Sequence, residues 1–231
     1  GKMKENSNDI SLKEYVNADW DFAMYHGTLL HSAIRTDDLA LVRKTIRMGA
    51  NLNKTDSDGE TALFSVRRLS IAEELINAGA DPNFLNMFGY TAVTALCKKK
   101  NWLCPPYDML EYLIRKTNLD LSGHGAQTLL ETMILNRDND YNLIKIVLEN
   151  TKNKNKLLDG ETLLFHAARG IKYEEILLLL MKSGIDLHYK NSEGKDFYDY
   201  CFGSVKKYIG LQMPEFIEKR ELKNDCIKFN I

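Results

Sequence analysis

Gly160-Glu-Thr-Leu-Leu-Phe165 is the most informative stretch of the sequence, because related segments recur along the whole chain. Gly59-Glu-Thr-Ala-Leu-Phe64 and Gly89-Tyr-Thr-Ala-Val-Thr94 place glycine two residues before threonine in the same way. Three further segments carry threonine or aspartate at the equivalent position, which gives a series of anchors at 28, 61, 91, 128, 162 and 196. Successive anchors are separated by 33, 30, 37, 34 and 34 residues. A period of this length indicates an array of stacked structural repeats.

Each anchor is followed by an apolar segment and then by a second one, which predicts two helices in every repeat. The second segments lie at 39–46, 71–76, 109–114, 143–148 and 175–181. Several of them end at a glycine, namely Gly49, Gly79 or Gly184, and glycine supplies the left-handed backbone that stops a helix. A polar stretch such as 54–59 then leads to the next anchor, and its composition suits a protruding turn, or finger, rather than a helix.

These residues resemble the ankyrin-repeat consensus, in which Asp-x-x-Gly-x-Thr-Pro-Leu-His precedes the first helix and Leu-Leu-x-x-Gly-Ala-Asp closes the second. Thr28-Leu-Leu-His-Ser-Ala33, Leu75-Ile-Asn-Ala-Gly-Ala-Asp81 and Thr162-Leu-Leu-Phe-His-Ala-Ala168 carry the pattern most completely, although the proline after threonine is missing in every repeat. The tetratricopeptide repeat has a similar period but lacks the polar finger. The resemblance covers about residues 23–210. It implies an all-α fold: an ankyrin-repeat solenoid of helix-turn-helix units with protruding β-turn fingers, about five full repeats and a degenerate C-terminal cap repeat.

The ends of the chain are expected to cap this stack, because a terminal repeat must present a polar outer face instead of a neighbour. We expect an N-terminal segment at 1–22 with a capping helix over 11–22, the repeat stack at 23–210, and a C-terminal cap and tail at 211–231. A short helix over 213–222 is predicted within the cap. The second repeat has 18 residues from Thr61 to Gly79, against 21 from Thr28 to Gly49, so its first helix should be only about two turns long.

The third repeat is longer than the others, and its extra residues include Lys98-Lys-Lys-Asn-Trp-Leu-Cys-Pro-Pro106. Two consecutive prolines cannot lie inside a helix, which predicts a bulge between the two helices of this repeat. Trp102 in the bulge is either an anchor for a partner or a cap over its own repeat. Cys97 and Cys104 could form a disulfide in an oxidising compartment, and two idle thiols are the alternative.

Composition and motifs argue against several functional classes. Lys and Arg total 31 against 32 Asp and Glu, a net charge of -1, so nucleic acid is a poor default partner. The longest apolar run, 176–181, is far shorter than the roughly 20 residues of a membrane span, so we expect a soluble protein. No phosphate loop, zinc-ligand spacing or nucleophile motif is present, and we expect no enzyme, cofactor or metal. The first residues show no signal peptide, which leaves the cytoplasm or an exported location reached with a removed leader.

The predicted function is binding of another protein on the concave face, which the fingers and first helices line in a stack of this kind. The family's usual geometry implies a set of contact residues, comprising Met24, Tyr25, Asp58, Glu60, Arg68, Met87, Phe88, Tyr90, Lys98, Lys99, Trp102, Asp159, Glu161 and Arg169.

The finger Asn86-Met-Phe-Gly-Tyr90 differs from the rest, because it carries large apolar residues where consensus repeats have small polar ones. We predict that Phe88 and Tyr90 are interface anchors; the alternative is that Phe88 folds back onto the adjacent finger. Because acidic residues flank this finger in the sequence, we expect a partner with an apolar knob and a basic rim.

Two other function classes stay open. The first is a bacterial toxin-neutralising immunity protein, or a host-targeted effector, that acts by binding. The second is a structural self-assembling scaffold, which requires matching apolar patches at both ends of the stack. We otherwise expect a monomer.

Overall fold

Pairs of helices joined by polar turns make up the chain. The computed structural model describes residues 11–22, 25–98, 106–121, 123, 127–135, 140–170 and 174–229. The chain divides into two compact units, Gly1–Leu129 and Leu130–Ile231.

The Gly1–Leu129 unit contains helices at Leu12–Asn17 (α1), Leu29–Arg35 (α2), Leu39–Arg47 (α3), Leu69–Asn77 (α4), Ala92–Lys98 (α5) and Tyr107–Lys116 (α6), a 3₁₀ helix at Ala62–Ser65, and two antiparallel strands at Trp20–Phe22 (β1) and Tyr25–Gly27 (β2). In the strand pair Trp20 lies opposite Gly27. Apart from this ribbon the described part of the unit is helical or irregular, as expected for an all-α repeat fold.

The Leu130–Ile231 unit contains helices at Leu129–Leu135 (α7, which begins one residue earlier), Tyr141–Asn150 (α8), Leu163–Gly170 (α9), Glu174–Met181 (α10), Gly203–Gln212 (α11) and Pro214–Phe229 (α12), with a 3₁₀ helix at Phe197–Tyr200. The predicted second helices of both units are confirmed: α3, α4, α6, α8 and α10 cover the five apolar segments identified from the sequence.

The anchor residues are buried and each precedes the first helix of its repeat. Thr28 begins α2, and its hydroxyl oxygen lies 2.9 Å from His31 Nδ1. The other ring nitrogen of His31 lies 3.1 Å from the carbonyl oxygen of Glu60, so this buried histidine links two repeats. Thr28 and His31 therefore help to fix where α2 starts.

Glycine ends the second helix in three repeats, as the sequence predicts. Gly49, Gly79 and Gly184 have φ of 89°, 101° and 92°. After Gly79 the amide of Ala80 donates to Leu75 O at 2.9 Å, which satisfies a carbonyl that the end of α4 leaves open.

A ladder of Asn and Asp side chains connects successive repeats just beyond these helix ends. Asn53 Oδ1 accepts from the amide of Asp81 at 2.9 Å, and Asn83 Oδ1 accepts from the amide of Asn118 at 2.7 Å. Within a repeat, Asn83 N also donates to Asp81 Oδ1 at 2.9 Å, a contact between residues two positions apart. Asn53 and Asn83 thus each bind the backbone of the next repeat through one short polar side chain. The same kind of bond joins Asn155 and Asp186 in the second unit, at 2.7 Å.

Three expectations about local structure need correction. The predicted helix over 11–22 ends at Asn17, because the Asn17 side-chain amide turns back to donate to Gly49 O at 3.0 Å and Ala18 becomes extended. The first helix of the second repeat is a four-residue 3₁₀ turn, because Val66 is already extended and α4 begins at Leu69. The helix predicted at 213–222 is longer and reaches Phe229.

Candidate functional site

The finger at 56–60 is a rigid turn held by the side chain of Asp56. Asp56 Oδ1 accepts hydrogen bonds from the amides of Asp58 and Glu60, both at 3.0 Å, while Asp56 N donates to Glu60 O at 2.9 Å. Gly59 closes the turn at φ 69°, a left-handed conformation that glycine adopts without steric cost. The finger therefore presents its tip from a fixed backbone.

The 86–90 finger repeats this arrangement one repeat later. Asn86 Oδ1 accepts from the amides of Phe88 and Tyr90, both at 3.0 Å, and Asn86 N donates to Tyr90 O at 3.0 Å. Gly89 has φ of 73°. The sequence signal for both fingers is Asp or Asn three residues before glycine, because this side chain caps its own turn.

A buried contact joins these two fingers. Asn86 Nδ2 donates to Glu60 Oε1 at 3.2 Å, and Glu60 is only 8% exposed. A Cβ added at Gly59 would lie 3.2 Å from Met87 N, so the two backbones are also closely packed. Glu60 was predicted to contact a partner, but the structure places it between the fingers, where its carboxylate holds them together.

Met87 and Phe88 form the exposed tip of the 86–90 finger. Their side chains are 66% and 62% exposed, so Phe88 does not fold back onto the adjacent finger. Tyr90 at the base of the finger is half-buried, and its hydroxyl accepts from Lys98 Nζ at 2.8 Å. The same ammonium lies 4.2 Å from the centre of the Tyr90 ring. Four of the predicted residues thus lie on this finger or at the end of α5, namely Met87, Phe88, Tyr90 and Lys98.

The base of the 86–90 finger is also held on its other side. Gly123 N donates to Gly89 O at 2.9 Å, and a Cβ at Gly123 would lie only 2.5 Å from Gly89 Cα. Gly123 belongs to the glycine-rich segment Ser122-Gly-His-Gly125, shortly before the anchor Thr128. Its role is to permit this close backbone approach.

The remaining predicted residues of this unit have different surroundings. Asp58 is exposed at the tip of the 56–60 finger. Arg68 Nε lies 3.1 Å from Asp37 Oδ1, and Arg68 also donates to the Asp37 carbonyl oxygen. Because Asp37 sits in the α2–α3 turn with φ of 56°, Arg68 braces that turn and is only partly available to a partner. Met24, Lys99, Trp102 and Cys104 lie outside the described residues, as does the side chain of Tyr25.

In the second unit Glu161 and Arg169 lie together at the 158–161 finger and the end of α9. Arg169 Nη2 donates to Glu161 Oε1 at 2.8 Å, and a second bond joins Nη1 to Oε2 at 2.5 Å. The guanidinium carbon is 4.1 Å from the centre of the Tyr200 ring. Asn191 Nδ2 donates to Glu161 Oε1 and to the Tyr200 hydroxyl, both at 2.9 Å. Asp159 is exposed in the turn beside them.

Tyr200 and Asn191 were not predicted as members of this group. Asn191 begins another finger of the Asp/Asn-x-x-Gly type, in which Asn191 Oδ1 accepts from the amides of Glu193 and Lys195, both at 3.1 Å. That motif is the signal that could have identified Asn191. Tyr200 belongs to the last inner helix, and only the fold shows that its ring reaches Arg169.

The charged groups of these two fingers are paired with each other. Hydrogen bonds from Arg169 lower the pKa of Glu161, and the same bonds raise the pKa of Arg169. The Lys195 ammonium, 2.8 Å from Glu193 Oε2, likewise lowers the pKa of Glu193. Glu161, Arg169 and Glu193 are thus stabilised in their charged forms.

The histidines contact different elements. Burial lowers the pKa of His31 between α2 and the 56–60 finger. His166 Nε2 lies 3.4 Å from Leu158 O, and the His188 ring stacks on Phe216 at 6.0 Å. Within the described residues no three His, Cys, Asp or Glu side chains are grouped so that they could hold a metal ion. A search of the same residues found no helix with the length and apolar character needed to cross a bilayer.

Comparisons with known proteins bear on the fold. No family model matches the sequence, and no curated protein matches it. Solved structures do match. The ankyrin repeat domain of Bcl-3, a member of the IkappaB protein family, is 19% identical with a TM-score of 0.65, covering 79% of this chain and 80% of that chain. An ankyrin repeat domain from Acinetobacter baumannii AYE is 20% identical with a TM-score of 0.62, covering 74% and 88%.

A third match comes from a protein complex. It is a chain in the structure of a predatory endopeptidase from Bdellovibrio bacteriovorus bound to an immunity protein. The identity is 26% and the TM-score 0.59, with 83% of this chain and 97% of that chain covered. These neighbours support the ankyrin-repeat fold. The repeat period, the anchored helix pairs, the fingers and the structural matches agree, and the chain is therefore a protein of the ankyrin-repeat fold.

Proposed function

We propose that this chain is a non-enzymatic protein-binding module whose partner engages the fingers of the Gly1–Leu129 unit, with Met87 and Phe88 as anchors. The observation that carries the proposal is the exposure of these two adjacent apolar side chains, 66% and 62%, at the tip of a hydrogen-bonded turn. Single exposed apolar residues are common on protein surfaces, but contiguous apolar patches mark interaction sites, and Met87 and Phe88 are adjacent.

The rigidity of the 86–90 finger supports an anchoring role. Its backbone is already fixed by Asn86, by the bond to Glu60 and by the bond from Gly123. Binding would therefore order little beyond the two side chains, and ordering a flexible side chain costs about 0.5–1.5 kcal/mol. Full burial of a Phe or Met side chain contributes about 1.5–3 kcal/mol, which exceeds that cost.

The shape of the tip changes the expected partner. Because Met87 and Phe88 project from the finger, we propose a partner that supplies an apolar cleft, in place of the apolar knob expected from the sequence. A basic rim still fits beside Asp58, which is exposed on the neighbouring finger. Tyr90 and Lys98 are proposed as surrounding contacts. Met24, Tyr25, Lys99 and Trp102 stay predictions, as do Asp159, Glu161 and Arg169 for a contact on the second unit.

Capture of the partner followed by measured affinity tests this proposal. The chain carrying a photo-crosslinker at Asp58 is used to capture its partner, and the purified partner is titrated against wild type, Met87→Ala and Phe88→Ala by calorimetry. An anchor residue should cost about 2 kcal/mol or more on truncation, about a 30-fold loss of affinity.

Leu12→Ala is the matched control, because Leu12 is 60% exposed on the same unit but lies on α1, away from the fingers. Its affinity should equal that of wild type. Unchanged affinity of both finger variants, with melting temperatures also unchanged, would show that the partner binds elsewhere.

A second candidate function is neutralisation of an enzyme by binding. The observation in its favour is the 26% identical chain from the complex of an endopeptidase with an immunity protein. Expression of the protein encoded by the neighbouring gene, with and without this chain, tests it. Relief of toxicity by wild type and not by Phe88→Ala would support this function through the same finger. We also propose that the chain is a monomer and that it has no nucleic-acid partner. A mass larger than that of a monomer in light scattering would favour the self-assembling scaffold instead.

A further inference from the structure

A cleft of about 410 Å³ lies in the C-terminal part of the second unit. Three segments of chain form its walls: the residue after α10, the loop that follows, and the junction of α11 with α12. Its size falls in the range of ligand sites, about 300–1,000 Å³. None of the residues of the proposed protein-binding surface lines it.

The floor of the cleft is apolar and firmly held. Leu187, Met213, Pro214 and Phe216 contribute to it. Phe216 is only 5% exposed, and its ring stacks on His188 at 6.0 Å.

Further aromatic contacts fix the same ring from behind. Phe197 stacks on Phe216 at 5.7 Å, and Tyr198 meets it edge-on at 5.9 Å. Phe197 is 1% exposed, so the wall is part of the packed core of this unit. The apolar surface is therefore present before any ligand arrives.

The rim of the cleft is predominantly cationic. Lys182 and Lys219 both line it and are exposed, whereas Glu215 is the carboxylate on its lining. Among the described residues no ion pair is formed by Lys182 or Lys219. The adjacent Arg220 is different, because it is paired with Asp196 at 2.8 Å and with Asp199. The two lysines are thus available to an anion, whereas Asp196 and Asp199 are already paired with Arg220.

We propose that this cleft binds a carboxylate attached to an apolar group, with the apolar part against Phe216 and Met213 and the carboxylate between Lys182 and Lys219. The charge of the rim and the apolar floor together fit this class of ligand. A neutral apolar molecule would leave both ammonium groups without a partner, and an inorganic anion would not use the floor. A free aliphatic acid and the C-terminal carboxylate of a peptide ending in leucine share this chemistry.

Octanoate is the probe, and methyl NMR of the whole chain is the readout. Octanoate should shift the methyl signals of Met213 and Leu187 and saturate at one molecule per chain, whereas octanamide should bind at least about tenfold more weakly, because it lacks the charge that lysine pairs with. Addition of acetyl-Gly-Leu with a free or an amidated C-terminus distinguishes the sources. Competition by the free form alone assigns the site to a peptide terminus, and no competition assigns it to a free acid.

The variant Lys182→Glu/Lys219→Glu should lose at least about tenfold in octanoate affinity, because it removes two charge-assisted contacts. Lys190→Glu/Lys207→Glu is the matched control, since it makes the same change in net charge at exposed lysines of the same unit that do not line the cleft. The control should bind as wild type does. Equal loss in both variants, no loss in either, or shifts at methyl groups away from the cleft would overturn the proposal.

Discussion

Substitution of Gly123 by alanine tests the packing that supports the 86–90 finger. A Cβ at Gly123 would lie 2.5 Å from Gly89 Cα and 3.5 Å from Gly89 C and O. The first distance is far below normal carbon–carbon contact, about 3.5–4.0 Å. Because the atom it meets belongs to the backbone, no side-chain rotation can relieve the clash, and the two chain segments must move apart.

Two contributions determine how much Gly123→Ala should lower the free energy of unfolding. Overpacking of this kind costs about 1–3 kcal/mol. Separation of the segments also lengthens the 2.9 Å bond from Gly123 N to Gly89 O, and a backbone hydrogen bond contributes about 0.5–1.5 kcal/mol. We therefore expect Gly123→Ala to lower the free energy of unfolding by about 2 kcal/mol. It should also weaken partner binding, because Phe88 immediately precedes the displaced Gly89.

Urea unfolding followed by tryptophan fluorescence measures the free energy of unfolding of the Gly1–Leu129 unit. Both tryptophans of the chain, Trp20 and Trp102, belong to this unit. Gly210→Ala is the control. Gly210 is inside α11, and a Cβ there meets nothing within 4 Å, so alanine should stabilise the helix by about 0.5–1 kcal/mol. A loss below about 0.5 kcal/mol for Gly123→Ala would refute the proposed close packing of these fingers.

Two further predictions concern the links between repeats. Asn83→Ala removes the 2.7 Å bond to the amide of Asn118 and should destabilise the first unit by about 1 kcal/mol in urea unfolding, whereas Asn77→Ala at the exposed end of α4 should have little effect. Burial lowers the pKa of His31 in the folded chain, so stability should be complete above the unfolded value near pH 6.5 and decline as the pH falls below it. Replacing His31 with glutamine should flatten this decline in melting temperatures between about pH 7 and pH 5.

Equal stabilities of the two asparagine variants would contradict the ladder. A His31→Gln variant that keeps the full acid sensitivity of the wild-type chain would place the responsible group elsewhere.

The repeat architecture was predictable from the sequence because its determinants are local. Thr28 and the glycines Gly49 and Gly79 act on the backbone within a few residues, so their spacing alone predicts where helices start and stop. The second helices were predicted for the same reason, since their apolar residues recur at helical spacing. The N-terminal helix was predicted too long because the end of α1 depends on Asn17, whose side chain contacts Gly49 in the first repeat.

The candidate site was predicted less completely, because it depends on contacts between fingers. The sequence indicated that Met87 and Phe88 are apolar residues in a polar turn, and the structure shows that both side chains are exposed. The burial of Glu60 could not be predicted from the sequence. An acidic residue in a polar turn is exposed unless a neighbouring finger supplies a donor such as Asn86. Tyr200 was missed for a similar reason, because its contact with Arg169 joins residues of two successive repeats.

The Asn and Asp ladder has a consequence for how such a chain can diverge. In each rung the acceptor is a side chain of one repeat, but the donor is a backbone amide of the next, as between Asn83 and Asn118. A main-chain donor is present whatever amino acid follows, proline excepted. A repeat can therefore be duplicated, deleted or exchanged for a distant copy without a matching mutation in its neighbour, provided that the accepting position keeps its short polar side chain. The finger residues can therefore change while the hydrogen bonds between repeats are kept.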